Sequence, residues 1–317
     1  MSKYLIPFGF AFIFVYLFIP ILSRIAFKLN FVDLPNKRKI HSKPIPLLGG
    51  LAIFLGYLLA VWLWVDSPRI KLAITLSGIL VVGIGLLDDY YKTRKKDFPA
   101  LPKLIVHLLV AVVLFYFGVR IVGITAFFGE GMLFFSVQIS FLVTLVWVIG
   151  MMNMINFLDG LDGLASGIAI IASMTLFLIS FIKGQEASAL LSAILMGTTL
   201  GFLKYNFFPA KIFLGDSGSI FLGLMLGFIS IEGAIKSATL LTILMVVLAL
   251  GVPILDTIIV FYGRLKNRKP LYLADQNHAH HRLLKKGYSQ RQAVTLIYTV
   301  SIIFSLIATS VLLWLVL

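Results

Sequence analysis

The chain has 317 residues, no cysteine, 13% charged residues against 60% hydrophobic ones, and a mean hydropathy of +1.03. One soluble core cannot hide that much apolar surface, and the lack of cysteine excludes disulfides, thiolate catalysis and cysteine-ligated zinc. The formal charge of +14 has no basic soluble domain to reside in, so no nucleic-acid partner is expected.

Apolar runs of the length a bilayer-spanning helix needs, about 17 to 25 residues, recur ten times. They fall at roughly 4–27, 47–65, 70–87, 103–119, 138–156, 163–182, 187–203, 218–234, 237–261 and 293–316. The expected fold is an all-α integral membrane protein with about ten transmembrane helices, residues 1–317 forming a single polytopic domain. The first run is too long for a cleavable signal peptide, and no small-residue cleavage site follows it. Ten spans put both termini on the same side. Of the 27 Lys and Arg residues, 21 fall in the loops 24–46, 88–103, 157–162, 204–217 and 262–292. The excess of Lys and Arg marks these loops as cytoplasmic and both termini as extracytoplasmic. The localisation expected is the cell membrane, multi-pass, surrounded by membrane lipid. An even span count neither requires nor excludes a homodimer.

Nine of the thirteen acidic residues sort to the same face, which positive-inside bias does not predict. Five polar blocks hold most of them. The first, "NKRKIHSKPIPLLGG" from Asn36 to Gly50, carries Arg38, Lys39, His41 and Lys43 ahead of Pro44 and Pro46, which stiffen the approach to the second span. In the second, "GIGLLDDYYKTRKKD", Asp88 and Asp89 end an apolar run. Adjacent helical residues point about 100° apart, so the two cannot chelate as one unit. Lys92, Arg94, Lys95 and Lys96 follow closely; a solvated helix end is the competing reading.

The third block, "NMINFLDGLDGLA", places Asn153, Asn156, Asp159 and Asp162 at steps of three, a polar stripe along one helix face. Gly160 and Gly163 weaken a helix and let a bulky ligand approach the backbone. The fourth, "FPAKIFLGDSGSIFLG", sets Asp216 in a Gly-Asp-Ser-Gly turn at a helix start, where free N–H groups favour anions. Asp216 there is either a metal ligand beside Ser217 and Ser219 or a simple N-cap. The fifth, "LADQNHAHHRLLKKG", holds His278, His280, His281 and Arg282 in a basic loop. It suits phosphate contact or proton transfer better than zinc, whose ligand spacing it lacks. His107, alone in the fourth span, reads as structural.

Asp and Asn are hard oxygen ligands that suit Mg²⁺, with Mn²⁺ as the alternative. Carboxylates and cations gathered at a membrane face fit phosphoryl-type transfer between a soluble phosphate compound and a lipid. No P-loop motif is present. Asp256, after Pro253 within the ninth run, instead suits an ion-coupled transporter, which binds ions in broken helices near the bilayer midplane.

The five blocks "DLPNKRKIHSKPIPLLGG", "LLDDYYK", "NMINFLDGLDGLA", "FLGDSGS" and "HAHHRLLKKGYSQRQAV" occur in the order found in the polyprenyl-phosphate N-acetylhexosamine-1-phosphate transferases. The chain resembles that family along nearly its whole length, and the last block looks like its undecaprenyl-phosphate GlcNAc-1-phosphate branch, as in teichoic-acid and O-antigen initiation. The sister branch, which transfers phospho-MurNAc-pentapeptide, usually has three consecutive histidines; here Ala279 interrupts them. The resemblance implies that UDP-GlcNAc and undecaprenyl phosphate give undecaprenyl-diphosphate-GlcNAc and UMP. It also implies roles: Asn156 and Asp216 as Mg²⁺ ligands, Asp88 aligning or deprotonating the lipid phosphate, Asp89 supporting it, and Asp159 holding the metal–diphosphate geometry. Asp162 and Lys43 would lie near the uridine, Asn153 among the substrate-binding groups, and Lys92, Lys96 and Lys103 against phosphate charge. Catalytic His278, with His280, His281 and Arg282, would close over the donor.

Overall fold

A computed structural model describes residues 1–35, 43–125, 132–235, 240–267 and 278–316. About 79% of the described residues are helical. Twelve α-helices are described: α1 Ser2–Lys28, α2 Gly49–Trp64, α3 Pro68–Thr93, α4 Ala100–Tyr116, α5 Val137–Leu158, α6 Leu164–Ile182, α7 Glu186–Asn206, α8 Gly215–Ser230, α9 Leu240–Ala249, α10 Gly251–Lys266, α11 Ala279–Lys285 and α12 Gln290–Val316. Two small antiparallel pairs interrupt them: β1 (Val32–Asp33) with β2 (Ile45–Pro46), and β3 (Gly123–Thr125) with β4 (Met132–Phe134). Among the described residues six helices are long and apolar enough to cross a membrane: α1, α3, α5, α6, α7 and α12. The apolar helices α2 and α4 are shorter. The chain is an all-α membrane protein.

Two expected spans take a different form. The eighth runs as α8 and then widens into a π-helical turn at Ile231–Ile235. The ninth is split, α9 and α10 meeting at Leu250, whose φ of −103° and ψ of 16° lie off the helix. Pro253 sits in the first turn of α10, where its missing N–H deprives no carbonyl of a partner. Elsewhere the starts follow local chemistry. Ser67 and Ser136 cap α3 and α5 by accepting from Ile70 N–H and Ile139 N–H, each at 3.4 Å.

The core helix is α8. Every residue from Gly215 to Ser230 is buried, and α2, α3, α5, α6 and α7 all pack on it. Backbones come close at glycines: a Cβ on Gly50 would collide with Gly218, and one on Gly85 with the Ser217 backbone. Without a water-driven hydrophobic term between helices in lipid, such close approach is a main source of association energy. The loop preceding α8 is stitched to the start of α2, Gly49 N–H reaching Phe213 O at 3.1 Å and Gly50 N–H reaching Leu214 O at 3.0 Å. Phe213 N–H in turn donates to Pro46 O at 2.8 Å. Contacts between them gather the C-terminal ends of α3, α5 and α7 and the N-terminal ends of α4, α6, α8 and α12 at one end of the bundle. At the opposite end Arg69 donates to Phe117 O at 2.8 Å and pairs with Glu232 in the π turn.

Asn36, Arg38, Lys39, His41 and Asp275 lie outside the described residues.

Gly85→Ala should destabilise the fold by about 1–3 kcal/mol through overpacking against Ser217. Gly83→Ala, with open space around its Cβ, should be neutral or slightly stabilising. Thermal unfolding in detergent checks the pair; equal behaviour would contradict the close approach of α3 and α8.

Candidate active site

The end of α8 organises the polar groups. Its N-cap is Leu214, whose side chain makes no cap bond, so the first free N–H groups must be satisfied from elsewhere. Asp89 on α3 does this. Its carboxylate accepts from Asp216 N–H at 2.9 Å, from Ser217 N–H at 3.2 Å and from Ser217 Oγ at 2.9 Å. Gly215 makes the approach possible, since φ is +71° there and a Cβ would press on the Asp89 carboxylate. Asp216 is therefore not the N-cap of α8; it lies in the first turn and its carboxylate points to cations.

Asp88, one residue before Asp89 and about 100° around the helix, faces the other way from the cap. Lys103 Nζ lies 2.6 Å from Asp88 Oδ2 and 2.9 Å from Asp216 Oδ2. Lys92 Nζ lies 3.1 Å from Asp88 Oδ2 and also pairs with Asp216 Oδ1. Both ammonium groups thus bridge the same two carboxylates, which come from helices far apart in sequence. Asp88 and Asp89 are almost fully buried, while Lys92 keeps nearly half its side chain exposed.

The expected stripe on α5 is broken. The helix ends at Leu158, with Asp159 as its C-cap at φ −78° and ψ 59°, so only Asn153 and Asn156 stay on it. The glycines of the loop 159–163 explain the stop. Gly163 adopts φ +78° to start α6, a conformation glycine adopts without strain. Asn153 Nδ2 donates back to Ile149 O at 2.8 Å. Asn156 Nδ2 donates to Ser219 Oγ at 2.8 Å, and that hydroxyl donates to Gly215 O at 3.0 Å. The Asn156 amide is thereby tied to the first turn of α8, with its carbonyl oxygen as the atom able to meet a cation. Asp162 turns away, accepting from Ala210 N–H at 3.0 Å. The Asp159 carboxyl is pushed up to about 8, by burial first and then by the charge of Asp216.

The histidines form a second wall. His280, 1% exposed, lies directly on Gly160, whose Cβ would collide with its Nε2. Among the described residues neither of its ring nitrogens has a hydrogen-bond partner. The His281 ring centroid is 4.2 Å away and that of His278 6.1 Å. Burial, and then the neighbouring His281, lower His280 to about 4; burial likewise lowers His281. Arg282 is part-exposed, 3.7 Å from Asp256. Lys96 is exposed beyond the end of α3, and Lys43 is exposed just before β2. Chemically the cluster offers hard oxygen donors beside two ammonium groups. Among the described residues no three His, Asp or Glu side chains converge as a ready-made metal cage.

Two supporting residues carried little sequence signal. Asn206, at the end of α7, accepts from Gly163 N–H at 3.0 Å and Ser166 Oγ at 3.1 Å, and donates to Ile212 O at 3.0 Å. Tyr298 on α12 donates to Gly163 O at 2.5 Å. A polar residue just before "FFPA" hints at a helix end for Asn206; nothing marks Tyr298.

Asp159 and His280 act on stability in opposite senses. His280 is held below its ordinary value of 6.5, so its contribution is present above that pH and lost as pH falls from 6.5 towards 4. Asp159 is held above its ordinary 3.8, so its contribution is present at low pH and lost as pH rises from about 4 to 8. His280→Gln should therefore flatten the acid-side fall in Tm by several degrees, and Asp159→Asn should remove the loss on the alkaline side. Tm against pH for the three proteins checks both; parallel curves would contradict the assignments.

Residues 71–234, about half of the chain, match glycosyl transferase family 4. This stretch contains Asp88, Asp89, Lys92, Lys103, Asn156, Asp159 and Asp216. Over 314 residues the chain is 36% identical to a probable undecaprenyl-phosphate N-acetylglucosaminyl 1-phosphate transferase of Bacillus subtilis (strain 168), covering 97% of this chain and 85% of that protein. It is 34% identical over 303 residues to a decaprenyl-phosphate N-acetylglucosaminephosphotransferase of Mycobacterium leprae (strain TN), covering 86% and 75%. It is 27% identical over 309 residues to an undecaprenyl-phosphate alpha-N-acetylglucosaminyl 1-phosphate transferase of Yersinia pestis, covering 96% and 81%. On the family match and on identity sustained along nearly its whole length, the chain belongs to glycosyl transferase family 4.

Proposed function

We propose that the protein transfers GlcNAc-1-phosphate from UDP-GlcNAc to undecaprenyl phosphate, releasing UMP and starting a cell-envelope glycan of the teichoic-acid or O-antigen kind. The observation that carries this is the pair of lysines bridging Asp88 and Asp216 beside the capped start of α8. Two fixed cations and two hard carboxylates at the end of an apolar bundle suit a diphosphate and a lipid phosphate meeting there. The relatives' names carry the polyprenyl phosphate and the GlcNAc-1-phosphate group; UDP-GlcNAc is the donor we assign on that basis.

In this reading the site lies at the cytoplasmic face of the cell membrane, the side that the excess of Lys and Arg favours, within a bundle of about ten spans. Mg²⁺, or Mn²⁺, fits the donor set. Asp88, Asp89, Asp159 and Asp216 against Lys92 and Lys103 leave two negative charges when every group is ionised, which a divalent cation balances. Asp216 and the Asn156 carbonyl oxygen would hold the metal, which supplies charge neutralisation for the diphosphate. The protein's own groups do the positioning. Asp89 holds Asp216 in place through the α8 backbone. Lys92 and Lys103 exchange one carboxylate contact each for phosphate oxygens, and Asp88 aligns the attacking lipid phosphate. One phosphoanhydride is broken and one made, so the reaction runs close to equilibrium and reverses. An apolar cavity of about 350 Å³ lies between α5 and α10, lined by Leu142, Val146, Trp147, Met151, Met154 and Ile254 among others. In this reading its apolar lining suits part of a prenyl tail.

Purified protein in detergent should release UMP only when UDP-GlcNAc, undecaprenyl phosphate and Mg²⁺ are all present. Release without lipid or metal, or no release with any UDP-sugar from folded protein, would refute the reading. Asp216→Asn should lower the rate by about 10²-fold or more, the scale of losing one group that stabilises developing charge. It should also cost a few degrees in Tm, because Lys92 and Lys103 are left sharing Asp88 alone. A wild-type rate at saturating Mg²⁺ would remove Asp216 from the metal site.

A further inference from the structure

Asp256 has no task in the transfer scheme above, yet its surroundings are specific. It lies on α10, 4% exposed, among neighbours Leu255, Ile258 and Ile259 that present an exposed apolar face. A carboxylate placed there without partners would be expensive. Its partners among the described residues come from the start of α11. Asp256 Oδ2 lies 2.8 Å from His278 Nδ1, and Oδ1 accepts from Ala279 N–H at 2.7 Å, with Arg282 at 3.7 Å. His278 is the N-cap of α11 and makes no cap bond with its own side chain. Asp256 supplies the cap from another helix, much as Asp89 does for α8.

The consequence is chemical as well as structural. A carboxylate on Nδ1 keeps the proton on that nitrogen and leaves Nε2 as the atom His278 can turn to other groups. The ring is held 5.3 Å from the Phe157 ring, at 34° to it, and Phe157 directly follows the proposed metal ligand Asn156. Two residues on, His280 rests against Gly160. The short helix is thus seated on the C-terminal end of α5, with Asp256 at its anchored end.

We propose that Asp256 is a positioning residue for the transfer. It fixes the His278 ring with Nδ1 held and Nε2 presented to the donor diphosphate, and it seats α11 against residues 156–160. This rests on the transferase reading. It also gives a role at the site to the residue that best suited a transporter, without any ion crossing the membrane.

The test is UMP release by full-length protein carrying Asp256→Asn, Asp256→Glu, His278→Ala and the double variant Asp256→Asn/His278→Ala, with donor and lipid varied separately. Asp256→Asn should lower kcat/KM for UDP-GlcNAc by about 10- to 100-fold, the scale of losing a group that orients a ligating histidine. The KM for undecaprenyl phosphate should stay within about twofold, the margin expected of sites that do not couple. Asp256→Glu, which keeps the charge one methylene further out, should recover part of the loss and serves as the folded variant should the amide unfold. In the His278→Ala background Asp256→Asn should cost almost nothing further. Equal losses in both backgrounds, or a fall in Tm with both substrates affected alike, would make Asp256 a purely structural residue and overturn the proposal. Silence of the wild-type protein with both substrates would overturn the transferase reading and this proposal with it, a result recognisable before any variant is compared.

Discussion

The contact on which the site depends is the carboxylate of Asp89 against the first turn of α8. A helix start buried in a bundle leaves N–H groups that water cannot reach, and each left unpaired costs about 1–3 kcal/mol. Leu214 cannot cap its own helix, so α3 must come close enough for Asp89 to do so. Gly85 and Gly215 allow that distance by presenting no Cβ to Ser217 or to the carboxylate. Once α3 and α8 are locked in this register, Asp88 and Asp216 have no choice but to face the same small volume. Two carboxylates forced together repel, and Lys92 and Lys103 are the groups that make the arrangement tenable. A stability requirement, satisfying a buried helix end, therefore generates the charge arrangement that the chemistry would use.

The same device recurs at α11, where Asp256 takes the place of a local cap. Both carboxylates are donated from neighbouring helices rather than from the turn they serve. A cap of that kind couples the placement of two helices, whereas a local Ser or Asp, as at Ser67 and Ser136, fixes only its own chain direction. The polar groups at this end of the bundle are accordingly set by helix packing.

Much of this was legible in the chain. The apolar runs gave the helices, because hydropathy over a bilayer length is a strong and local signal. The break at Leu250 was not, since Pro253 is compatible with either a continuous or a divided span. At the site, the residue types of "DD", "NFLDGLDG" and "GDSG" marked out a polar neighbourhood, and in the structure Asp88, Asp216, Lys92 and Lys103 do meet. The sequence left Asp216 between metal ligand and cap, and it could not apportion the work within "DD". Those questions are decided by which helix faces which, a matter of interhelical register that spacing along one chain does not encode. Asn206 and Tyr298, which hold Gly163 from α7 and α12, stayed hidden for the same reason. The polar stripe from Asn153 to Asp162 was overextended: the step of three holds only while the helix lasts, and the glycines end it at Leu158.

That early stop has a use. Had α5 continued, Asp159 and Asp162 would stand on the helix surface with Asn156, each separately solvated. Instead the chain turns at Asp159, Gly160 admits the His280 ring, and Asp159 is left in protein surroundings that hold its proton up to about pH 8. A carboxyl in that condition is a poor permanent anion but a responsive one. A divalent cation arriving near Asn156 and Asp216 would favour its ionised form, so metal binding on the proposed reading is coupled to release of a proton from the same loop. The lysines complete the logic. While no phosphate is present they hold Asp88 and Asp216 together, and when phosphate oxygens enter they have partners to move to without ever facing the apolar bundle unpaired.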